Sequence, residues 1–221
     1  MHHSIKKNLA NSITGLGIIA GVVACILARV HPSWIIAECL FFVALITDAL
    51  DGKVARIFGS TKAGPYLDDI ADLINFGIHP ALWIWIESGR FWLACVYLWC
   101  IFYRLARFTL LKQDTTDSFS WLPSPWAALG IFWLVFMAPG IDIFIIGTLF
   151  MSFLSISQVR CIHVMKYRKI AAFRLPLMLI IALLPLLFWY TERGIGITHI
   201  TLVGIYIFLS LIFLIPQYAS R

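Results

Sequence analysis

Apolar residues make up 61% of the 221 positions and charged residues only 13%, against about 25% charged in an ordinary soluble domain. With a mean hydropathy of +0.90, this composition excludes a soluble globular fold and predicts an all-α, polytopic membrane protein. The net charge of +6 borders the apolar runs, and no soluble basic domain carries it, so nucleic acid is excluded as a partner.

The apolar runs reach the about 17–25 residues of a membrane-spanning helix. They predict eight spans, at 13–28, 34–58, 63–86, 91–111, 126–138, 141–159, 174–190 and 196–216. Lys6 and Lys7 precede the first, and no small-x-small cleavage site follows, so this run is read as a span rather than a cleaved signal peptide. His31-Pro32-Ser33 closes it, Gly59-Ser60-Thr61 separates the second span from the third, Ser88-Gly89 the third from the fourth, and Pro139-Gly140 the fifth from the sixth. The fifth is short. The second and third run on into acidic sequence, which places their ends in a polar cleft at the membrane surface. The whole chain, 1–221, reads as one membrane-embedded domain, with a core over about 9–170 and further helices over about 174–216.

An even number of spans puts both termini on one side. Lys6, Lys7, Lys53, Arg56, Lys62, Arg104, Arg107, Lys112, Arg160, Lys166, Arg168, Lys169, Arg174 and Arg221 fall on or toward that side; Arg29, Arg90 and Arg193 lie opposite. The bias predicts termini and acidic cluster toward the cytoplasm, in the inner membrane. The basic segment 160–174 reads as a positive-inside loop or as a surface for anionic lipid headgroups. Cys25, Cys39, Cys95, Cys100 and Cys161 are isolated, with no Cys-x-x-Cys pair, and read as small apolar residues rather than a zinc or redox site.

The chemistry lies in the aspartates. Asp48, Asp51, Gly52 and Ala55 stand at i, i+3, i+4 and i+7, one face of a helix. Asp68 and Asp72 stand at i and i+4 on the next, with Gly64 one turn before. A short loop joins the two helices, so the faces can meet as an antiparallel hairpin and converge four carboxylates. Carboxylates at membrane depth persist where they face a cavity, a partner or an ion. Divalent cations relieve their repulsion, and hard oxygen ligands suit Mg²⁺ or Mn²⁺ rather than zinc. Two such ions form a clamp for displacement at phosphorus. Gly52 lets a phosphate-bearing ligand approach the backbone, and Lys53 and Arg56 can meet phosphate oxygens. Spacing alone also admits an ion pathway in a transporter, or structural ion pairs with Arg104 and Arg107. Asp69 lies off the face of Asp68 and Asp72 and is expected behind the ligands or toward solvent.

The pattern Asp-x2-Asp-Gly-x2-Ala-Arg, seven residues, Gly-x3-Asp-x3-Asp resembles the signature of the CDP-alcohol phosphatidyltransferase family, with Asp48, Asp51, Gly52, Ala55, Arg56, Gly64, Asp68 and Asp72 at its fixed positions. The resemblance runs from Asn11 to about Lys166. It implies a six-helix core, here with two further C-terminal helices, and an active site open to the cytoplasm. It also implies two divalent metals, a CDP-linked lipid donor and an alcohol acceptor. By motif position Asp48, Asp51 and Asp68 would be metal ligands, Asp72 would bridge or approach the metals as the fourth metal-site residue and act as general base, and Gly52, Ala55, Arg56 and Gly64 would line the CDP pocket together with Asp48 and Asp68. A homodimer rests on the resemblance alone.

Within the family the chain looks most like the phosphatidylserine synthases. Asn75-Phe76-Gly77-Ile78-His79-Pro80-Ala81 is similar to their Ser-Phe-Gly-x-x-Pro-Ala, and Arg104-Leu105-Ala106-Arg107-Phe108 and Leu122-Pro123-Ser124-Pro125 resemble two further hallmarks, with Phe153-Leu154-Ser155-Ile156-Ser157 a weaker match. Asn75 replaces the serine, and Pro65-Tyr66 stands where a Gly/Ala-Glu pair is common. The implied reaction joins CDP-diacylglycerol and L-serine, releasing CMP; glycerol 3-phosphate or an inositol compound is the alternative acceptor. A serine carboxylate wants an arginine fork, which Arg104 and Arg107 at i, i+3 could supply, with Asn75 nearby. The same pair could instead anchor topology and balance the acids. His79 reads as a satisfied helix residue.

Overall fold

The computed structural model describes residues 2–30, 34–59, 61–111, 118–119, 122–137, 140–157 and 161–162. These residues form α1 (His2–Val30), α2 (Trp34–Phe58), α3 (Gly64–Asp72), a π-helical segment (Leu73–Ile78), α4 (His79–Ser88), α5 (Phe91–Leu111), α6 (Ser124–Met137) and α7 (Ile141–Ile156). The described part is thus helical, apart from a two-residue antiparallel pair, β1 (Ser118–Phe119) with β2 (Cys161–Ile162). The spans expected at 174–190 and 196–216 and most of the basic segment 160–174 lie outside the described residues.

Two stretches among the described helices are long and apolar enough to cross a membrane, Asn8–Val30 and Phe91–Leu110. The helix of α2 is as long but carries Glu38, Asp48, Asp51, Lys53 and Arg56, and α6 and α7 have 14 and 16 residues. Eight spans are therefore not what the described helices display.

Small residues bring α1 close to its neighbours. Ala10, Thr14, Gly17, Gly21, Ala24 and Ala28 recur at alternating spacings of four and three, and all are buried. Leu16, Ile19, Val22 and Ile26 face outward, as on a helix with one face in lipid. The stripe packs along α2 and reaches α3 and the π segment. A Cβ at Gly17 would come within 2.6 Å of Thr47 Oγ1, and one at Gly21 would collide with Asn75 Oδ1. These two glycines let the acidic hairpin sit against α1.

The run expected as one span over 63–86 is continuous but not uniformly α-helical. Pro80 has no N–H, so the Phe76 carbonyl lacks its ordinary donor four residues on. The helix answers with a wide turn, in which His79 N–H donates to Ile74 O, five residues back. Tyr97 of α5, fully buried, donates its hydroxyl to Phe76 O at 2.8 Å. Removing that donor strands a buried carbonyl, so Tyr97→Phe is expected to cost about 1–3 kcal/mol. A thermal melt of the purified protein should register the loss as a lower Tm. An unchanged Tm would mean that the carbonyl finds another donor.

The core lies where α2, the π segment, α4, α5 and α6 meet. Phe41 packs against Phe76 at 5.9 Å and Phe132 at 4.9 Å between ring centroids. Trp83, Ile84, Leu93 and Ile101 complete it, each 1% exposed or less. Such burial is worth about 1.5–3 kcal/mol per large side chain when the alternative is water. In lipid, packing contacts rather than water exclusion hold the same rings. At the far end from the acids, the Arg29 guanidinium lies 5.4 Å from the Trp85 ring centroid, and Trp85 meets Phe91 edge-on.

Candidate active site

Two helices deliver the acids. On α2, Asp48 is half-buried and Asp51 buried; on α3, Asp68 is exposed. One carboxylate oxygen from each lies within 4.8 Å of the other two. Oxygens on opposite sides of one Mg²⁺ stand about 4.2 Å apart, given bonds of about 2.1 Å. Small side-chain rotations close the difference, and the all-carboxylate donor set is that of a hard divalent cation. The cluster can therefore hold a metal ion. Asp72 stands outside this trio but lines the same narrow cleft as Asp48 and Asp51, with Thr14, Gly17, Ala44, Thr47, Ala71 and Asn75.

The nucleotide-side residues expected from the motif follow on α2. Ala55 is half-buried and Arg56 exposed. A Cβ added at Gly52 would meet only Arg56 Nη1, at 3.7 Å. Among the described residues no neighbour demands a glycine there, so the missing side chain leaves room beside Asp51 for a ligand. Gly64 N–H donates to the Thr61 hydroxyl at 3.1 Å, which fixes the start of the helix carrying Asp68.

Several supporting groups had no local signal in the sequence. Thr14 of α1 donates its hydroxyl to Asp51 Oδ2 at 2.5 Å, across 37 residues. Asn11 donates to Thr61 Oγ1 at 2.9 Å, tying α1 to the loop before α3. Thr109 of α5 donates to both oxygens of Asp69, at 3.0 and 2.8 Å. Asp69 thus anchors α3 on α5 and turns away from the trio. The one available hint for Thr14 was a polar residue in an otherwise small apolar stripe.

The residues expected for the acceptor divide. Arg104, buried on α5, donates Nη1 to the Ser124 hydroxyl at the start of α6, and its guanidinium lies close enough to Asp48 and Asp72 to attract both. Arg107 donates Nη1 to Tyr103 Oη at 3.3 Å, one turn back on its own helix. Asn75 is 2% exposed and lines the cleft in the π segment. His79 is buried, its Nε2 accepting from Trp83 Nε1 at 3.2 Å, a satisfied core histidine as its place in the sequence suggested.

A family model described as CDP-alcohol phosphatidyltransferase matches residues 7–156. The chain belongs to the CDP-alcohol phosphatidyltransferase family. This is a family of membrane-bound phosphatidyltransferases, so the ion-pathway reading of the acids falls away. The match runs from within α1 to the end of α7, the whole of the cleft included. Among similar proteins, the CDP-diacylglycerol--serine O-phosphatidyltransferase of Mycobacterium bovis is 33% identical over 139 residues, covering 58% of this chain and 48% of that protein. The protein of the same name from Helicobacter pylori is 34% identical over 128 residues, covering 55% and 53%. That from Methanocaldococcus jannaschii is 34% identical over 132 residues, covering 57% and 60%. The chain thus spans about half the length of the curated relatives it matches.

Proposed function

We propose that this phosphatidyltransferase moves the phosphatidyl group of CDP-diacylglycerol onto L-serine, giving phosphatidylserine and CMP. The observation that carries the reading is the convergence of Asp48, Asp51 and Asp68 within 4.8 Å beside a cleft that also holds Asp72 and Asn75. The names of its relatives and the matches at Asn75–Ala81, Arg104–Phe108 and Leu122–Pro125 support serine as acceptor.

Two divalent ions, Mg²⁺ or Mn²⁺, held by Asp48, Asp51 and Asp68 with Asp72 approaching, would supply neutralisation of pyrophosphate charge. The protein's own groups do the rest. Gly52 and Gly64 leave backbone open to the nucleotide, with Ala55 beside them. Arg56, at the exposed end, meets its phosphate oxygens. Asp72 takes the proton from the serine hydroxyl. The serine oxygen then bonds to the β-phosphorus as the bond from that phosphorus to the bridging oxygen breaks, and the electron pair leaves with CMP. Among the described residues no Cys, Ser or His stands with a dedicated base, which favours direct displacement over a covalent intermediate. Arg104 and Asn75 hold the amino acid, with Arg107 nearer the mouth. The acyl chains stay in lipid. The chain acts as one domain in the cytoplasmic membrane, with site and termini toward the cytoplasm, and as a homodimer.

The test is an acceptor panel with purified protein and CDP-diacylglycerol, following CMP release. L-serine should outpace glycerol 3-phosphate and inositol phosphate at least about tenfold, the margin that one charge-assisted contact provides. Faster turnover with either phosphorylated alcohol sinks the serine assignment and leaves the family standing.

A further inference from the structure

Arg104 and Ser124 lie 20 residues apart in the chain and meet side chain to side chain. Both are buried, Arg104 at 8% exposure and Ser124 at 0%. The serine sits in a rigid frame. The N–H groups of Trp126 and Ala127 donate to Pro123 O at 3.0 and 3.1 Å, and Leu122 N–H donates to Leu154 O of α7 at 3.3 Å. Pro123 and Pro125 flank it and fix the local backbone. The hydroxyl is therefore held in place from two helices, while Arg104 reaches it from a third.

A buried arginine beside Asp48 and Asp72 has an alternative. Drawn further onto the carboxylates that it attracts, it would close the cleft and spend its charge there. A guanidinium has five N–H donors in a planar fork, and a fixed acceptor behind one of them sets the orientation of the others. We propose that Ser124 is a positioning residue for the acceptor: its hydroxyl takes Arg104 Nη1 and turns the guanidinium to receive the carboxylate of an amino-acid acceptor in the cleft. This rests on the serine reading above and gives it a structural device. It also assigns a task to the Leu122-Pro123-Ser124-Pro125 segment, whose place in the sequence is remote from the acids.

The test compares L-serine with serinol, which keeps the hydroxyl and amine and replaces the carboxylate by a hydroxymethyl group. CMP release by the purified full chain is measured against acceptor concentration at saturating CDP-diacylglycerol. For Ser124→Ala the KM for L-serine should rise about tenfold with kcat within about threefold, the scale of one lost hydrogen bond to a charged group. The preference for L-serine over serinol should fall by the same factor, and Ser124→Thr, which keeps the hydroxyl, should restore it. A parallel loss with both acceptors, a loss in kcat alone, or an unchanged preference overturns the positioning role. If Ser124→Ala cannot be purified, Ser124→Cys keeps the size with a weaker acceptor and should give an intermediate preference; an unchanged one again overturns the role. The wild-type arm separates the two ideas. A wild type that ignores L-serine and uses a phosphorylated alcohol defeats the serine reading and the role together. A wild type that prefers L-serine with Ser124→Ala unchanged defeats the role of Ser124 alone.

Discussion

Replacing Asp72 by asparagine should lower CMP release about 100-fold or more, the usual contribution of a positioned proton transfer being about 10²–10⁴. Asparagine keeps the shape and one oxygen but cannot accept the proton. Asp72 shares the cleft with Asp48 and Asp51 yet lies outside the trio whose oxygens crowd within 4.8 Å. Binding of CDP-diacylglycerol should therefore survive in the variant. Turnover and equilibrium donor binding are measured side by side. Near-normal CMP release would remove Asp72 from the base role. Loss of donor binding together with turnover would recast it as a primary metal ligand.

Stripping divalent ions should cost as much or more. Without cations, Asp48, Asp51 and Asp68 face one another as bare acids, and the pyrophosphate keeps only Arg56 against its charge. The several kcal/mol of stabilisation that a bound metal supplies correspond to a loss of about 10³-fold or more. EDTA should abolish CMP release, and Mg²⁺ or Mn²⁺ should restore it. Full activity in stringently metal-free buffer would refute the site as drawn.

The parts of this molecule that were legible in its sequence are those written in local spacing. The helices over 34–58 and 91–111 appear where the apolar runs put them, as α2 and α5. The convergence of Asp48, Asp51 and Asp68 follows from the step of three on α2 and the short loop that brings α3 alongside. Hydropathy placed the first helix too late, at 13, because His2 to Ser12 is polar although α1 runs through it. It could not resolve the π segment, since a wide turn leaves no mark on polarity; Pro80 was the only local hint. Arg104 and Arg107 stand one turn apart, but Arg104 turns to Ser124 and Arg107 to Tyr103. Those directions depend on which helices lie opposite. The same holds for Thr14 on Asp51 and Thr109 on Asp69, contacts across 37 and 40 residues.

The π segment has a consequence for how reaction chemistry and core are linked. Each residue of an α-helix turns the chain by about 100°, and a π turn slips one residue into that count. Asp68 and Asp72 before it and His79 and Trp83 after it are thus out of phase with an unbroken helix by about one residue's rotation. Asp72 addresses the cleft beside α1 and α2, while His79 addresses the aromatic core at Phe132. The wide turn works as a gear between them. Shortening the stretch Leu73–Ile78 by a single residue would remove the wide turn, and the helix could then satisfy only one side at a time: acids in register with rings misplaced, or rings seated with acids swung aside. Chain length at this one point, more than any single side chain, couples the reacting groups to the body of the protein.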